Sequence, residues 1–124
     1  MNKPIGMPND CWNAMTITGI ESDITAFFEN ELKDVPESAL KMKVRGVKGL
    51  IFSLWSPWRP DFEWLESLFK KYPSIWVKNE WSEEGGLAGV WVGTEMYGEL
   101  KINQMVWTDL CIEEKVACFR EVAT

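Results

Sequence analysis

The chain has 124 residues, of which 46% are hydrophobic and 26% charged, and these ordinary proportions favour one compact globular domain. The 19 acidic and 13 basic residues give a net charge of −6, which argues against binding nucleic acid by neutralising phosphates. The absence of histidine excludes Ser-His-Asp and Cys-His nucleophiles and every metal site that needs an imidazole.

The first third of the chain predicts a strand followed by a helix. Residues 1–9 are rich in proline, glycine and asparagine and are predicted to be irregular. Residues 11–18 alternate between two faces, as a half-buried strand does. Ser22 or Asp23 then caps a helix that extends to about residue 33, because apolar residues recur there at helical spacing.

The middle of the chain predicts a second strand and a second helix. Residues 34–43 show no regular pattern, since Pro36 breaks any continuing helix. Residues 47–54 are rich in Val, Ile, Leu and Phe, which is typical of a strand. Asp61 then caps a helix over residues 62–71, whose apolar side chains share one face.

The last part of the chain predicts a run of hairpins and a final helix. Strands at residues 75–81 and 87–94 flank the glycine pair 85–86, which is typical of a hairpin turn. A fifth strand occupies residues 98–107, and a helix capped by Thr108 or Asp109 follows it. The apolar stripe of this helix has four members: Ile112, Val116, Phe119 and Ala123.

The predicted element order is β-α-β-α-β-β-β-α. The first βαβ unit predicts a right-handed crossover onto a neighbouring parallel strand, and the last three strands predict antiparallel hairpins. We therefore expect an α+β sandwich with a mixed or antiparallel sheet of about five strands and with helices packed mainly on one face. No repeat or linker divides residues 1–124, which are expected to form a single domain.

The cysteines predict a reducing compartment. Cys11, Cys111 and Cys118 are an odd number, and residues 1–10 lack the apolar core of a signal peptide. Free thiols and a cytoplasmic location are therefore expected. No apolar run reaches the roughly 18 residues that span a bilayer. Cys111 lies in the first turn of the last predicted helix, so whether its thiol is reactive stays open.

Two segments resemble a known family. Residues 7–19, MPNDCWNAMTITG, and the run WSEEGGLAGVW within residues 75–93 are similar to segments of the YubB-like proteins, short proteins carried by conjugative plasmids and bacteriophages. The resemblance implies a ferredoxin-like α+β fold, a name that denotes no iron–sulfur cluster. It also implies an accessory protein of a phage, prophage or plasmid, with no cofactor and no biochemical activity to carry over.

Tryptophan and arginine provide the candidate binding surface. The chain has eight tryptophans, too many to be fully buried in a domain of this size. Aromatic residues and arginine dominate the energetics of protein–protein interfaces. The candidate binding residues lie in the predicted hairpin and in the loop before the second helix: Trp55, Trp58, Arg59, Trp76, Trp81 and Trp91. The preferred function is a non-enzymatic protein-binding module whose partner is a host or mobile-element protein.

Two other functions stay open. An acidic protein can inhibit a host nucleic-acid defence enzyme, of the restriction or CRISPR type, if its carboxylates gather on one surface and imitate phosphates. A small cation-dependent hydrolase would use Glu80, Glu83 and Glu84, but no catalytic spacing or metal-ligand pattern is present. No catalytic residue and no metal site is therefore predicted, and the oligomeric state stays open. A basic stretch at residues 41–48 is the one place where an acidic partner would dock.

Overall fold

The computed structural model describes residues 7–108. The final predicted helix, Cys111 and Cys118 lie outside the described residues. The described elements are β1 (Asp10–Thr18), α1 (Glu21–Phe27) with a π-helical continuation (Phe28–Leu32), β2 (Leu40–Arg45), β3 (Gly49–Pro57), α2 (Phe62–Lys71), β4 (Trp76–Glu83), β5 (Leu87–Met96) and β6 (Glu99–Thr108). Among these residues no helix is both long enough and apolar enough to cross a membrane.

All six strands form one sheet in the order β2-β3-β1-β4-β5-β6, and every neighbouring pair is antiparallel. The predicted ferredoxin-like α+β sandwich is therefore wrong. Strands hold 51% and helices only 22% of the structure, so the fold is mostly β, with two short helices. The predicted parallel pair is also absent, because β1 and β3 are antiparallel neighbours.

The error has one physical source, the strand β2. Four of its six residues fall in the stretch 34–43 that was predicted to be irregular, and only Leu40 and Met42 are half-buried in it. The other positions are exposed. The sequence LKMKVR nevertheless alternates apolar and basic residues, so the period of two that marks a strand was present and was overlooked. An extra strand between α1 and β3 reverses the direction of β3. The predicted crossover onto a parallel strand thereby becomes an antiparallel pairing.

The core lies between one face of the sheet and the helices. The aromatic ring of Phe27 has three ring neighbours, with centroids 6.2 Å away in Phe52, 6.2 Å in Trp64 and 5.6 Å in Tyr72. These rings connect α1 with β3, with the first turn of α2 and with the residue that ends α2. Burial of such side chains contributes roughly 1.5–3 kcal/mol each. Fully buried partners from the strands include Met15, Ile17, Leu50, Val77 and Trp91.

The helix α2 has the predicted bounds and cap, and both predictions are confirmed. The Asp61 side chain accepts a hydrogen bond from the Trp64 backbone N–H at 3.0 Å, which satisfies a donor of the first turn. In α1 the predicted cap is wrong, because the helix begins at Glu21 with no side-chain cap. Asp23 instead accepts hydrogen bonds from the Ser74 backbone N–H and hydroxyl, at 3.0 and 2.6 Å.

Two tight turns connect the last three strands. The predicted hairpin at residues 85–86 is confirmed, and Gly86 has the positive φ of 106° that favours glycine. Tyr97 and Gly98 both have positive φ, 54° and 79°, as the two central residues of a type I′ turn require. The turn leads β6 back along β5 in an unbroken register of ten residue pairs.

The Glu31 carboxylate connects the π-helical continuation of α1 to α2. Glu31 accepts hydrogen bonds from Trp64 Nε1 at 2.8 Å and from the Tyr72 hydroxyl at 2.7 Å, and Lys71 Nζ lies 3.3 Å away. Partial burial by itself raises the pKa of the Glu31 carboxyl. The hydrogen bonds and the Lys71 ammonium outweigh burial, so the pKa lies below its ordinary value.

We expect Glu31→Gln to lower the free energy of unfolding by about 1–2 kcal/mol at neutral pH, because charge-assisted hydrogen bonds are lost. A carboxyl whose pKa is lower in the folded state stabilises above its unfolded pKa, and this contribution is lost as pH falls through the folded pKa. Urea unfolding across the acid range should therefore show the deficit of the variant shrinking at low pH. Glu29→Gln is the control, since the exposed Glu29–Lys33 pair contributes little. A deficit that does not change with pH contradicts this role.

Candidate functional site

The connection between β3 and α2 holds an unusual tryptophan. Trp58 has φ 67°, in the left-handed region that non-glycine residues rarely occupy, and 54% of its surface is exposed. Its backbone N–H donates to the Asn9 carbonyl at 2.9 Å, and the Arg59 N–H donates to the Pro57 carbonyl at 2.8 Å. Backbone strain of this kind occurs preferentially at binding sites and costs about 1–3 kcal/mol.

A chain of buried hydrogen bonds anchors this connection to the sheet. The Asn79 amide donates to Asn13 Oδ1 at 2.8 Å, and the Asn13 amide donates to Ser56 Oγ at 2.8 Å. The Ser56 hydroxyl then donates to the Arg59 carbonyl at 2.8 Å. Sequence reasoning missed these polar residues. The signal was present, because the predicted alternation of the first strand placed Asn13 among apolar residues, where an amide needs partners.

Trp58 and Arg59 border a cleft of about 400 Å³ on the helix-bearing side of the sheet. Trp81, which is 4% exposed, and Phe62 form an apolar part of its wall, with edge-on rings at 6.4 Å. The remaining lining residues come from the start of the described chain and from the last hairpins: Asn9, Glu83, Leu87, Gln104 and Val106. We call this space the Trp58 cleft.

The three predicted carboxylates, of which only Glu83 lines the Trp58 cleft, are engaged in local structure. Glu83 Oε1 accepts from the Asn9 amide at 2.6 Å and also from the Gly85 backbone N–H. Glu84 accepts from the Asp10 backbone N–H at 2.7 Å. Glu80 pairs with Lys78 at 3.0 Å. Glu80 and Glu83 are three residues apart in one strand, so they point to opposite faces and the three predicted carboxylates do not form one site.

The structure brings together three of the six predicted binding residues. Trp58, Arg59 and Trp81 line the Trp58 cleft. Trp91 is 1% exposed, packs against the Phe69 ring at 6.1 Å, and is not available to a partner. Two further tryptophans, Trp55 and Trp76, lie on the opposite face of the sheet.

Trp55 and Trp76 belong to the face of the sheet that no helix within residues 7–108 covers, which we call the open face. Trp55 is directly opposite Trp12 on β1, and its indole Nε1 donates to Asp10 Oδ1 at 2.8 Å. Trp76 lies opposite Thr18 toward the other end of β1. Both rings are half-buried. They are therefore separated from the Trp58 cleft by the thickness of the sheet.

The basic stretch at residues 41–48 lies along the β2 edge. The Lys41 ammonium lies 5.1 Å from the centroid of the Trp12 ring, and the Arg45 guanidinium carbon lies 3.7 Å from that of Phe28. These two cations point to opposite faces of the sheet, because the Trp12 ring lies on the open face and Phe28 belongs to the helical segment on the other face. The stretch therefore presents no single cationic surface.

Cys11 lacks the environment that activates a thiol. Cys11 is fully buried, and burial raises the pKa of its thiol. The Ser56 hydrogen bond opposes this shift, and the Glu83 carboxylate adds to it. Among residues 7–108 no group of three or more cysteine, aspartate or glutamate side chains is arranged to hold a metal ion.

Family relationships add no function to this geometry. Comparison with protein-family models, with curated proteins and with solved structures gave no match.

Proposed function

We propose that this chain is a non-enzymatic protein-binding module of a phage, prophage or plasmid. It acts in the cytoplasm, and the Trp58 cleft receives a segment of a partner protein. The observation that carries the proposal is the exposed Trp58, held in a left-handed conformation at the border of an apolar cleft. A residue in this conformation lowers stability, so its position beside a cleft supports a role in binding.

The composition of the cleft supports a protein partner. Binding hot spots are rich in tryptophan and arginine and lie where a rigid apolar pocket excludes water. Trp81 and Phe62 supply the rigid apolar wall, and Trp58 supplies a ring that a partner would bury. Arg59 makes no ion pair within the described part of the chain, which leaves its guanidinium able to bind a carboxylate of the partner.

We expect Trp58→Ala to weaken partner binding at least about thirtyfold, because truncating a hot spot costs roughly 2 kcal/mol or more. The partner is first identified by quantitative affinity purification with the tagged full-length chain, and its affinity is then measured by calorimetry. Trp76→Ala is the matched control, since it removes a half-buried tryptophan from the opposite face. Trp81 is unsuitable for this test, because its ring is buried in the wall and its loss would disturb folding.

Two outcomes would contradict the site. Equal affinity of Trp58→Ala and the parent chain removes the Trp58 cleft from the interface. Loss of binding in Trp76→Ala with normal binding in Trp58→Ala moves the interface to the open face of the sheet. Thermal melting of both variants shows whether either result comes from unfolding.

One observation favours a second candidate function, the acidic inhibitor of a host nucleic-acid enzyme. Residues 20–38, which include α1 and its continuation, carry six acidic residues and one basic residue. Acidic groups are therefore concentrated around α1 and not spread evenly. In a plating assay with restricted phage, this function predicts protection by the parent chain and loss of protection in Glu21→Lys/Glu29→Lys. If the parent chain does not change the plating efficiency of restricted phage, this candidate function is excluded.

A further inference from the structure

The two outer strands of the sheet differ in how they are protected. β2 carries Lys41, Lys43 and Arg45, and its register with β3 is irregular between Met42 and Val44. Charged side chains and bulges on an outer strand discourage pairing with another chain. β6 has an unbroken register with β5 over all ten of its residues. One edge of the sheet is therefore blocked and the other is regular.

The second half of β6 also exposes apolar side chains on both faces. Met105 is 64% exposed and Trp107 is 41% exposed on the open face, and Val106 is 52% exposed on the side of the Trp58 cleft. Charged residues occur only in the first half of β6, where Lys101 pairs with Glu99 at 2.7 Å. A long, regular and apolar outer strand presents unpaired backbone groups with which a strand of another chain can pair.

We infer that β6 pairs with β6 of a second copy of this chain, antiparallel and about a two-fold axis, to form a continuous sheet of two protomers. A two-fold axis perpendicular to the sheet keeps the helices of both copies on the same side of the sheet. Each residue must then pair with a residue whose side chain points to the same side. The paired residue numbers must then have an even sum. Axes at Asn103 and at Gln104 both give an overlap of nine residues. We choose Gln104, with an overlap from Leu100 to Thr108, because it places Lys101 opposite Trp107.

This register is self-complementary. Lys101 of one copy lies opposite Trp107 of the other, a cation–aromatic pair that occurs twice by symmetry. Ile102 lies opposite Val106 on the helix-bearing side. No like charges meet, because Glu99 falls outside the overlap and Lys101 is the only charged residue within it. The same strand has no complementary match on β2, where three cations would meet the Lys101 ammonium.

The test is sedimentation of the full-length chain across a concentration series between about 1 and 200 µM. We expect a monomer–dimer equilibrium. Trp107→Lys should raise the dissociation constant at least about tenfold, because it places a lysine opposite Lys101 of the second copy. Lys101→Glu/Trp107→Lys should restore dimerisation to within about threefold of the parent, because each new lysine then faces a glutamate.

The control is Val44→Lys, which adds a lysine at an exposed position of the other outer strand, β2, and should leave the dissociation constant unchanged. Circular dichroism melting of each variant separates loss of pairing from loss of folding. A parent chain that is monomeric at every concentration overturns the inference, as does a dimer that Trp107→Lys leaves intact. Failure of the double variant to restore a lost dimer overturns the register. None of these results depends on Trp58, so they are independent of the test of the Trp58 cleft.

Discussion

Replacing Trp91 with alanine is expected to lower the free energy of unfolding by about 3–5 kcal/mol, because the change removes a large buried ring and leaves a cavity. The ring is 1% exposed, contacts Phe69, and lies over Gly93, where an added Cβ would come within 2.6 Å of it. Urea denaturation followed by circular dichroism measures the loss. A ring at this position stabilises the core and cannot also bind a partner.

Trp76→Ala provides the comparison for Trp91→Ala. Trp76 is half-buried on the open face, so its truncation removes less buried area and opens no enclosed cavity. We expect a loss of roughly half that of Trp91→Ala or less. Equal losses for the two variants would contradict the assignment of Trp91 to the core.

Replacing Asn13 with alanine is expected to cost about 3–5 kcal/mol, since several buried groups lose a hydrogen-bond partner at about 1–3 kcal/mol each. The Asn13 amide donates to Ser56 Oγ and to the Leu54 carbonyl, and its oxygen accepts from Asn79. Loss of this link also frees the Ser56 hydroxyl that holds the Arg59 carbonyl. Hydrogen exchange should therefore accelerate at the Trp58 and Arg59 amides, in addition to the loss of stability.

Asn79→Leu is the matched control for Asn13→Ala. It removes the donor to Asn13, but it also removes Asn79 Oδ1, a buried oxygen for which no hydrogen-bond donor is found. The two effects oppose each other, so a smaller loss of about 1–2 kcal/mol is expected. If Asn79→Leu were as costly as Asn13→Ala, the chain of hydrogen bonds would not carry the stability assigned to it.

The elements that were predicted correctly are marked by distinctive residues within a short stretch of sequence. The helix α2 has a capping aspartate, an apolar stripe and a terminating Tyr72-Pro73, and its bounds were predicted correctly. The hairpin of β4 and β5 has its glycine turn. β2 was missed although its sequence LKMKVR alternates apolar and basic residues, because the stretch after Pro36 was predicted to be irregular.

The candidate site was predictable only in part. Trp58 and Arg59 are adjacent in sequence, so their shared location follows from the chain itself. Trp76 and Trp81 are five positions apart in one strand and must point to opposite faces, so their grouping on one surface was an error visible in the sequence. The β6 residues of the Trp58 cleft, Gln104 and Val106, lie more than 45 positions after Trp58 in the chain. Their place beside Trp58 depends on the order of the strands in the sheet, which no local pattern encodes.

The pairing of Trp81 with Gly89 has a consequence for how the chain reaches its native state. The two residues are direct partners across β4 and β5, and an added Cβ on Gly89 would lie 2.7 Å from the Trp81 ring. A hairpin misaligned by two residues would set the indole against Leu87 or Trp91, where no such recess exists. The Trp81 ring therefore fits against β5 only where Gly89 is its partner, so only one alignment of β4 with β5 is sterically favourable. Mispaired hairpins are disfavoured while the chain is still folding.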